Sequence, residues 1–298
     1  MSVAQGWNPG GTSFWKDVWL RLEKNKPAMF GLVVVIIFSA VAIIAPLLSP
    51  ADPLKTDLSN RLKPPGSPSE ICSNGVYILG SDEFGRDILS RILFGARVSL
   101  SVGIISQVLV TAIGVTMGAL AGYYGGKVDM IIMRIADILF AFPDLLFYIG
   151  VMFALGPSIY NVFIALALIG WAGMARLVRS QVLYLREMEY VEAARAQGLS
   201  DARIILRHIL PNCMGPIIVS VTMGIPGAIL AEASLSFLGL GVQPPTPSWG
   251  NMIYAARSYM LTNPWYSVWP GIAIMITVFS FNLLGDGLRD ALDPRLKR

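Results

Sequence analysis

The sequence predicts an all-α membrane protein with six transmembrane helices, and three observations carry that reading. Of 298 residues, 54% are hydrophobic and 14% charged, against about 25% charged in a soluble globule, and the mean hydropathy is +0.61. Uncharged apolar runs recur at or above the ~20 residues that cross a bilayer. Most of the 23 Lys and Arg residues fall in alternate connecting segments, the pattern of cytoplasmic loops. Helices follow because backbone polar groups in lipid must be satisfied within each segment.

Taken in order, the first run is Met29–Leu48. Its apolar core exceeds a secretory h-region and more spans follow, so it reads as an uncleaved anchor. Residues 49–68, rich in proline and polar residues, form an extended excursion. The stretch Leu79-Gly80-Ser81-Asp82-Glu83-Phe84-Gly85-Arg86-Asp87 then offers Ser81 or Asp82 as a helix cap. Phe84, Ile88, Leu89, Ile92 and Leu93 recur at helical spacing and Asp87 and Arg91 stand at i, i+4, which predicts an amphipathic interfacial helix leading into the second span. That span lies within Val98–Gly126. Residues 131–175 are too long for one crossing and divide at Gly156-Pro157-Ser158 into the third and fourth, with a kink expected at Pro143. Asn212–Ala231 is the fifth and Ser258–Gly285 the sixth. Between them, Phe237–Trp265 opens on a breaker-rich turn and carries a short helix, Asn251–Met260. Its Trp265, with Trp269 just beyond, suits an interfacial aromatic belt. Gln243 and Trp249 are candidates for an outer gate.

Between the fourth and fifth runs stands a charged segment, Glu189–Asn212, EYVEAARAQGLSDARIILRHILPN. Glu189–Gln197 predicts a short helix with Tyr190, Val191 and Ala194 near one face. Gly198 suits the left-handed position that ends a helix, with Leu199 as its apolar follower. Ser200 caps a second helix, Asp201 favours its first turn, and Pro211 limits it. The product is a compact polar knuckle between two membrane spans.

Three acids fall inside apolar runs, where a central charge costs about 2.5–3.5 kcal/mol and normally faces a cavity or a partner. Asp137 suits an ion pair with Arg134, Arg176 or Arg179. Asp144, after Pro143, is a candidate for a translocation pathway. Glu232 fits two readings, attraction of a substrate ammonium or a hydrogen-bonded structural carboxylate.

Several function classes fail. A pI near 9.1 suggests nucleic acid, but the basic residues follow membrane topology. No Walker A motif occurs, since Gly125-Gly126-Lys127 continues into Val128 and follows no strand. The single histidine, His208, supports neither a metal site nor a proton relay. Cys72 and Cys213 are expected near opposite membrane faces and should not pair. Leu283-Leu284-Gly285-Asp286 lacks the first glycine of the Gly-x-Gly-Asp element of intramembrane aspartyl proteases. A secondary peptide or solute carrier is the rival reading, and it would show internal repeats or interrupted helices in corresponding halves.

Glu192-Ala193-Ala194, Gly198 and Ile209-Leu210-Pro211 resemble the EAA loop of ABC importer permeases. LGSDEFGRD with Ser90-Arg91, Gly95-Ala96-Arg97 and Ser99-Leu100, then SFLGLG, Gln243, Pro244-Pro245 and Ser248-Trp249-Gly250, then FNLLGDGLRDALDPRLKR, resemble the dipeptide/oligopeptide branch. Ser81 departs from the threonine frequent there but keeps a hydroxyl. The likeness runs from the first span to the last residue and is weakest over residues 1–28 and 50–78. It favours the oligopeptide-type second permease over nickel or glutathione relatives.

The resemblance implies a type I ABC importer (MetI-like) transmembrane fold. It implies a cytoplasmic N-terminal tail (1–28), a first span with its extracytoplasmic segment (29–96), a permease domain (97–286) with a coupling hairpin (187–211), and a cytoplasmic C-terminal tail (287–298). Glu189, Glu192, Ala193, Ala194, Gly198, Ile209 and Pro211 would couple to an ATPase, and Asp144 and Glu232 would be pathway candidates. The implied partners are a second homologous permease forming a heterodimer, two ABC ATPase subunits, an extracytoplasmic peptide-binding protein and the prokaryotic cytoplasmic membrane, with both termini inside. The chain itself would hold no cofactor and catalyse nothing, ATP and Mg being bound by the ATPase subunits.

Overall fold

A computed structural model describes residues 14–293, so the last five residues of the C-terminal motif, with Arg295, Lys297 and Arg298, lie outside the described residues. The chain is built from helices α1 (Phe14–Lys24), α2 (Lys26–Leu48), α3 (Ile88–Tyr124), α4 (Gly126–Phe140), α5 (Asp144–Leu155) and α6 (Ile159–Leu185). After these come α7 (Glu189–Ala196), α8 (Asp201–Ile204), α9 (Leu210–Phe237), α10 (Trp249–Ala256) and α11 (Trp265–Leu292). Among the described residues, five helical stretches are long and apolar enough to cross a membrane, or six if the bent pair α4–α5 counts as one.

The central packing is α3 against α6. Gly114, Gly118 and Gly122, one turn apart on α3, face Met174, Ala175, Val178 and Val182 of α6. A Cβ on Gly118 would lie 2.5 Å from the Ala175 carbonyl oxygen. Such close backbone approach suits a medium in which lipid tails compete with side chains and only tight van der Waals contact distinguishes protein from solvent. At 37 residues, α3 is about 55 Å long, well beyond the ~30 Å hydrocarbon core. It therefore reaches both ends of the molecule.

Residues 49–87 form a small lobe over one end. It holds a two-residue antiparallel ladder, Ser67–Pro68 with Val76–Tyr77. The expected interfacial helix from Ser81 is absent. The Asp82 carboxylate instead accepts the backbone N–H groups of Phe84 and Arg86 at 2.8 and 2.9 Å and the Arg86 Nε–H at 2.6 Å. These local bonds hold the segment in a loop that competes with helix formation, and the helix starts only at Ile88. Its cap is Asp87, which accepts Ser90 N–H and Oγ–H at 2.8 and 2.6 Å. Burial pushes the Asp87 carboxyl above its usual range, against the lowering effect of the Ser90 bonds. Arg91 pairs with Asp82, not Asp87, and donates to the Pro53 carbonyl at 3.1 Å. Trp265 and Trp269 are half-buried in an apolar cluster with Ile88, Met252 and Tyr266 beneath this lobe, so they are packing residues more than a lipid-facing belt.

Two other expectations change. The kink at Pro143 is a break, with α4 and α5 meeting at 92°, because Pro143 takes an extended ψ of 126° as the residue before α5. Pro211 does not end a helix. Ile205–Ile209 form a π turn in which Leu210 N–H bonds to Ile205 O, and the helix continues into α9. Proline lacks the N–H that would continue the ladder, and the widened turn carries the chain past that gap. Residues 201–237 are thus one helical path, and residues 287–292 belong to α11.

Gly118→Val should separate α3 from α6 and lower stability by at least about 1–3 kcal/mol, read as a lower melting temperature of the detergent-solubilised chain. Gly150→Ala, where an added Cβ meets nothing within 4 Å, should leave it unchanged or slightly raised.

Candidate functional site: the polar hairpin and the transmembrane cavities

The hairpin sequence folds as its residue types dictate. After α7, Gly198 takes φ +76°, Gly198 N–H bonds to Arg195 O at 3.0 Å and Leu199 N–H to Ala194 O at 3.3 Å. That pair of bonds is a Schellman ending. Val191 and Ala194 are buried in an apolar cluster with Tyr123 of α3, Val178 and Val182 of α6, and Ile204, Ile205, Ile209 and Cys213 of the following helix. Tyr190, expected on that buried face, is exposed.

Polar contacts clamp this cluster to the bundle. The Tyr123 hydroxyl donates to Asp201 Oδ1 at 2.8 Å, and Arg186 Nη1 donates to the Gly122 carbonyl at 2.9 Å. The Arg195 guanidinium stands 5.7 Å from the Tyr123 ring centroid. Sequence reasoning missed this clamp, although the Tyr123-Tyr124 pair ahead of Gly125 was a usable signal.

The seven hairpin candidates therefore divide. Glu189, Glu192, Ala193 and Gly198 are exposed, Ala194 and Ile209 are core residues that position them, and Pro211 is exposed at the base. Pro211 lines a cavity of about 1290 Å³ with Trp15, Gln181, Asn212, Arg289 and Asp293. This cavity gathers the hairpin base, α1 and the end of α11 at one end of the molecule. Val18, Leu22, Ala28 and Ala291 pack together there.

The intramembrane acids also divide. Asp137 pairs with Arg176 at 2.5 Å, one of the three expected partners, and the Arg176 guanidinium lies 4.1 Å from the Phe140 centroid. Asp129 pairs with Arg179. Glu232 is fully buried and accepts Ser236 Oγ–H at 2.6 Å and Ser248 Oγ–H at 2.9 Å. Both bonds fall on Oε1, and Oε2 is buried with no partner among the described residues. Asp144 is exposed and lines a second cavity of about 410 Å³ with Ser106, Gln107, Tyr148, Gly224 and Ser234.

The outer-gate candidates separate as well. Trp249 is 1% exposed, its Nε1–H donates to Ile92 O at 3.1 Å, and its ring meets Phe38 edge-on. It is a wedge packed between α2, α3 and α9. The Ser248 side chain makes a capping box with Asn251, so α10 starts at Trp249, two residues before the expected position. Gln243 is exposed and donates to the Gly239 and Gly241 carbonyls at 3.2 and 3.0 Å.

Comparison with known proteins adds the following. Residues 114–298 match the family described as binding-protein-dependent transport system inner membrane component, and residues 13–65 match the N-terminal TM domain of oligopeptide transport permease C. The chain is 46% identical to the dipeptide transport system permease protein DppC of Alkalihalophilus pseudofirmus over 95% of this chain and 90% of that one. It is 44% identical to the oligopeptide transport system permease protein OppC of Bacillus subtilis, over 96% and 91%. A chain of the inward-facing MetNI methionine ABC transporter (CY5 native crystal form) shares the fold with a TM-score of 0.57 at 18% identity, covering 69% of this chain and 98% of its own.

Tyr123→Phe should remove one hydrogen bond holding α8 to α3, a loss of about 0.5–1.5 kcal/mol. Amide exchange over residues 199–204 should quicken accordingly, while exchange in the middle of α3 stays as in the wild type.

Proposed function

Because this chain belongs to the family of binding-protein-dependent transport system inner membrane components and has its type I ABC importer transmembrane fold, we propose that it is one of two homologous permeases in a di-/oligopeptide importer. The names of its relatives support the peptide substrate. In this reading the exposed residues Glu189, Glu192, Ala193 and Gly198 seat on an ATPase subunit, one ATPase beneath each permease. ATP and Mg are bound by those subunits, and this chain catalyses nothing. Both termini and the hairpin face the cytoplasm, and the lobe of residues 49–87 and the 238–264 segment face an extracytoplasmic peptide-binding protein.

One observation carries the coupling role. The exposed face of α7 is backed by a core drawn from α3, α6 and α9, and its second arm runs without interruption into a span. A push on α7 would therefore reach three transmembrane helices. ATP binding would close the ATPase pair and open the pathway outward to accept peptide, and hydrolysis would reset it inward. A secondary carrier has no use for such an arm, and a nickel or glutathione importer would share the machinery while differing in cargo.

Purification of the tagged chain from its native membrane in mild detergent should bring with it Walker A-bearing chains and a second EAA-bearing permease. A homo-oligomer free of ATPase, under conditions that preserve known complexes, would favour the carrier. Gly198→Val places a β-branched residue at φ +76°, a strain of about 1–2 kcal/mol. It should lower ATPase-coupled peptide uptake while membrane insertion stays normal, and wild-type uptake at normal expression would argue against the coupling role.

A further inference from the structure

The acids of the broken third span are unequal. Asp129 and Asp137 each have an arginine. Asp144, in the first turn of α5, has no hydrogen bond or ion pair among the described residues, yet it lies on a membrane-crossing segment where an unpartnered charge is unfavourable. It faces the cavity of about 410 Å³ described above, which no Lys, Arg or His lines.

A second, independent anomaly lies in the same cavity. Thr111, Thr116, Thr222, Ser234, Thr277 and Ser280 all return their hydroxyls to the carbonyl one turn earlier, the usual way a membrane helix satisfies such groups. Ser106 does not. It is fully buried, its Oγ has no partner, and it lines the cavity halfway along α3. Beside it the Gln107 side chain lies over Gly224 of α9, so close that a Cβ there would come within 2.4 Å of its Nε2. The Gln107 amide makes no hydrogen bond among the described residues and faces the same space.

A carboxylate and two uncommitted oxygen acceptors, with no cation, match a group that is positively charged and has several N–H donors. An ammonium offers three donors and no acceptor. A carboxylate cargo group would meet Asp144 as a like charge. We propose that Asp144, Ser106 Oγ and Gln107 Oε1 form a subsite for the protonated amino group of the transported molecule. This rests on the peptide-import reading, and within it the subsite receives the amino terminus of the peptide or a lysine side chain. It gives the permease a charge preference of its own, separate from that of the binding protein. The Tyr148 ring, also lining the cavity, supplies an aromatic face compatible with a cation.

The test uses the complete importer in proteoliposomes, with partner permease, ATPases and binding protein. Two tripeptides, one with a free amino terminus and one N-acetylated, are each supplied with saturated binding protein. Wild type should carry the free-amine peptide about tenfold faster, the scale of one charge-assisted hydrogen bond. Asp144→Asn should bring the ratio of the two rates close to one, Asp144→Glu should preserve it, and Ser106→Ala should reduce it about threefold. An assembled Asp144→Asn importer that is slower for both peptides but keeps the wild-type ratio would reduce Asp144 to a helix-end residue and overturn the subsite. A wild-type importer that carries both peptides equally would also overturn it. A wild-type importer that assembles yet carries neither peptide would instead remove the peptide reading, and the subsite with it.

Discussion

Gly114, Gly118 and Gly122 bring the backbone of α3 against α6, and both ends of the molecule hang on that seam. In lipid no water-driven force holds two apolar helices together, so the attraction must come from many atoms at contact distance. Beyond the seam at one end, Tyr123 and Arg186 fasten the hairpin to α3 and α6. At the other end the same α3 carries the lobe of residues 49–87 through Asp87 and Arg91. Midway along it, Ser106 and Gln107 line the smaller cavity. A helix of that length, held rigidly in its middle, is a physical link between the two faces of the membrane.

The hairpin differs from a surface loop in how its second arm ends. A proline that stopped the helix would leave a joint between α8 and the fifth span. The π turn at Ile205–Ile209 removes that joint, so residues 201–237 form one lever. Local helix physics supports the first arm in a complementary way, through a Schellman ending that fixes where α7 stops and turns the chain back towards the core. Buried Val191, Ala194 and Ile209 hold the arms together, which leaves Glu189, Glu192, Ala193 and Gly198 exposed.

Polar groups in the membrane-crossing part follow a simple economy. Glu232 accepts two serine hydroxyls on Oε1, with Oε2 unpartnered among the described residues, and joins α9 to the start of α10. Asp129 and Asp137 tie α4 to α6 through arginines. Segment 238–264 is held the same way, with Trp249 N–H donating to Ser99 Oγ at 3.2 Å. Around the smaller cavity the side chains of Asp144, Ser106 and Gln107 are uncommitted among the described residues. They lie where the third span breaks between α4 and α5, so irregular backbone borders a cavity there, as membrane proteins require.

Much of this was legible in the sequence because it depends on local chemistry. Apolar run length fixes the number of spans, Gly198 with Leu199 fixes the end of α7, and the Glu-Ala-Ala triplet with its glycine and Ile-Leu-Pro marks the hairpin. What the sequence could not settle depends on partners remote along the chain. The segment from Ser81 reads as a helix start, yet the backbones of Ser81, Asp82 and Phe84 pair with those of Lys63, Leu62 and Asp57 and it stays a loop. Trp249 follows prolines and opens a short helix, and only the packed bundle sets it against Phe38 and Ile92 from two other helices. Asp137 and Asp144 look alike in sequence, and only the placement of α6 gives one of them an arginine. Periodicity and capping are properties of neighbours within a few residues, so the sequence alone determined most of the spans and the first arm of the hairpin. Which polar groups are satisfied is a property of the packed bundle, and the tertiary structure alone decided it.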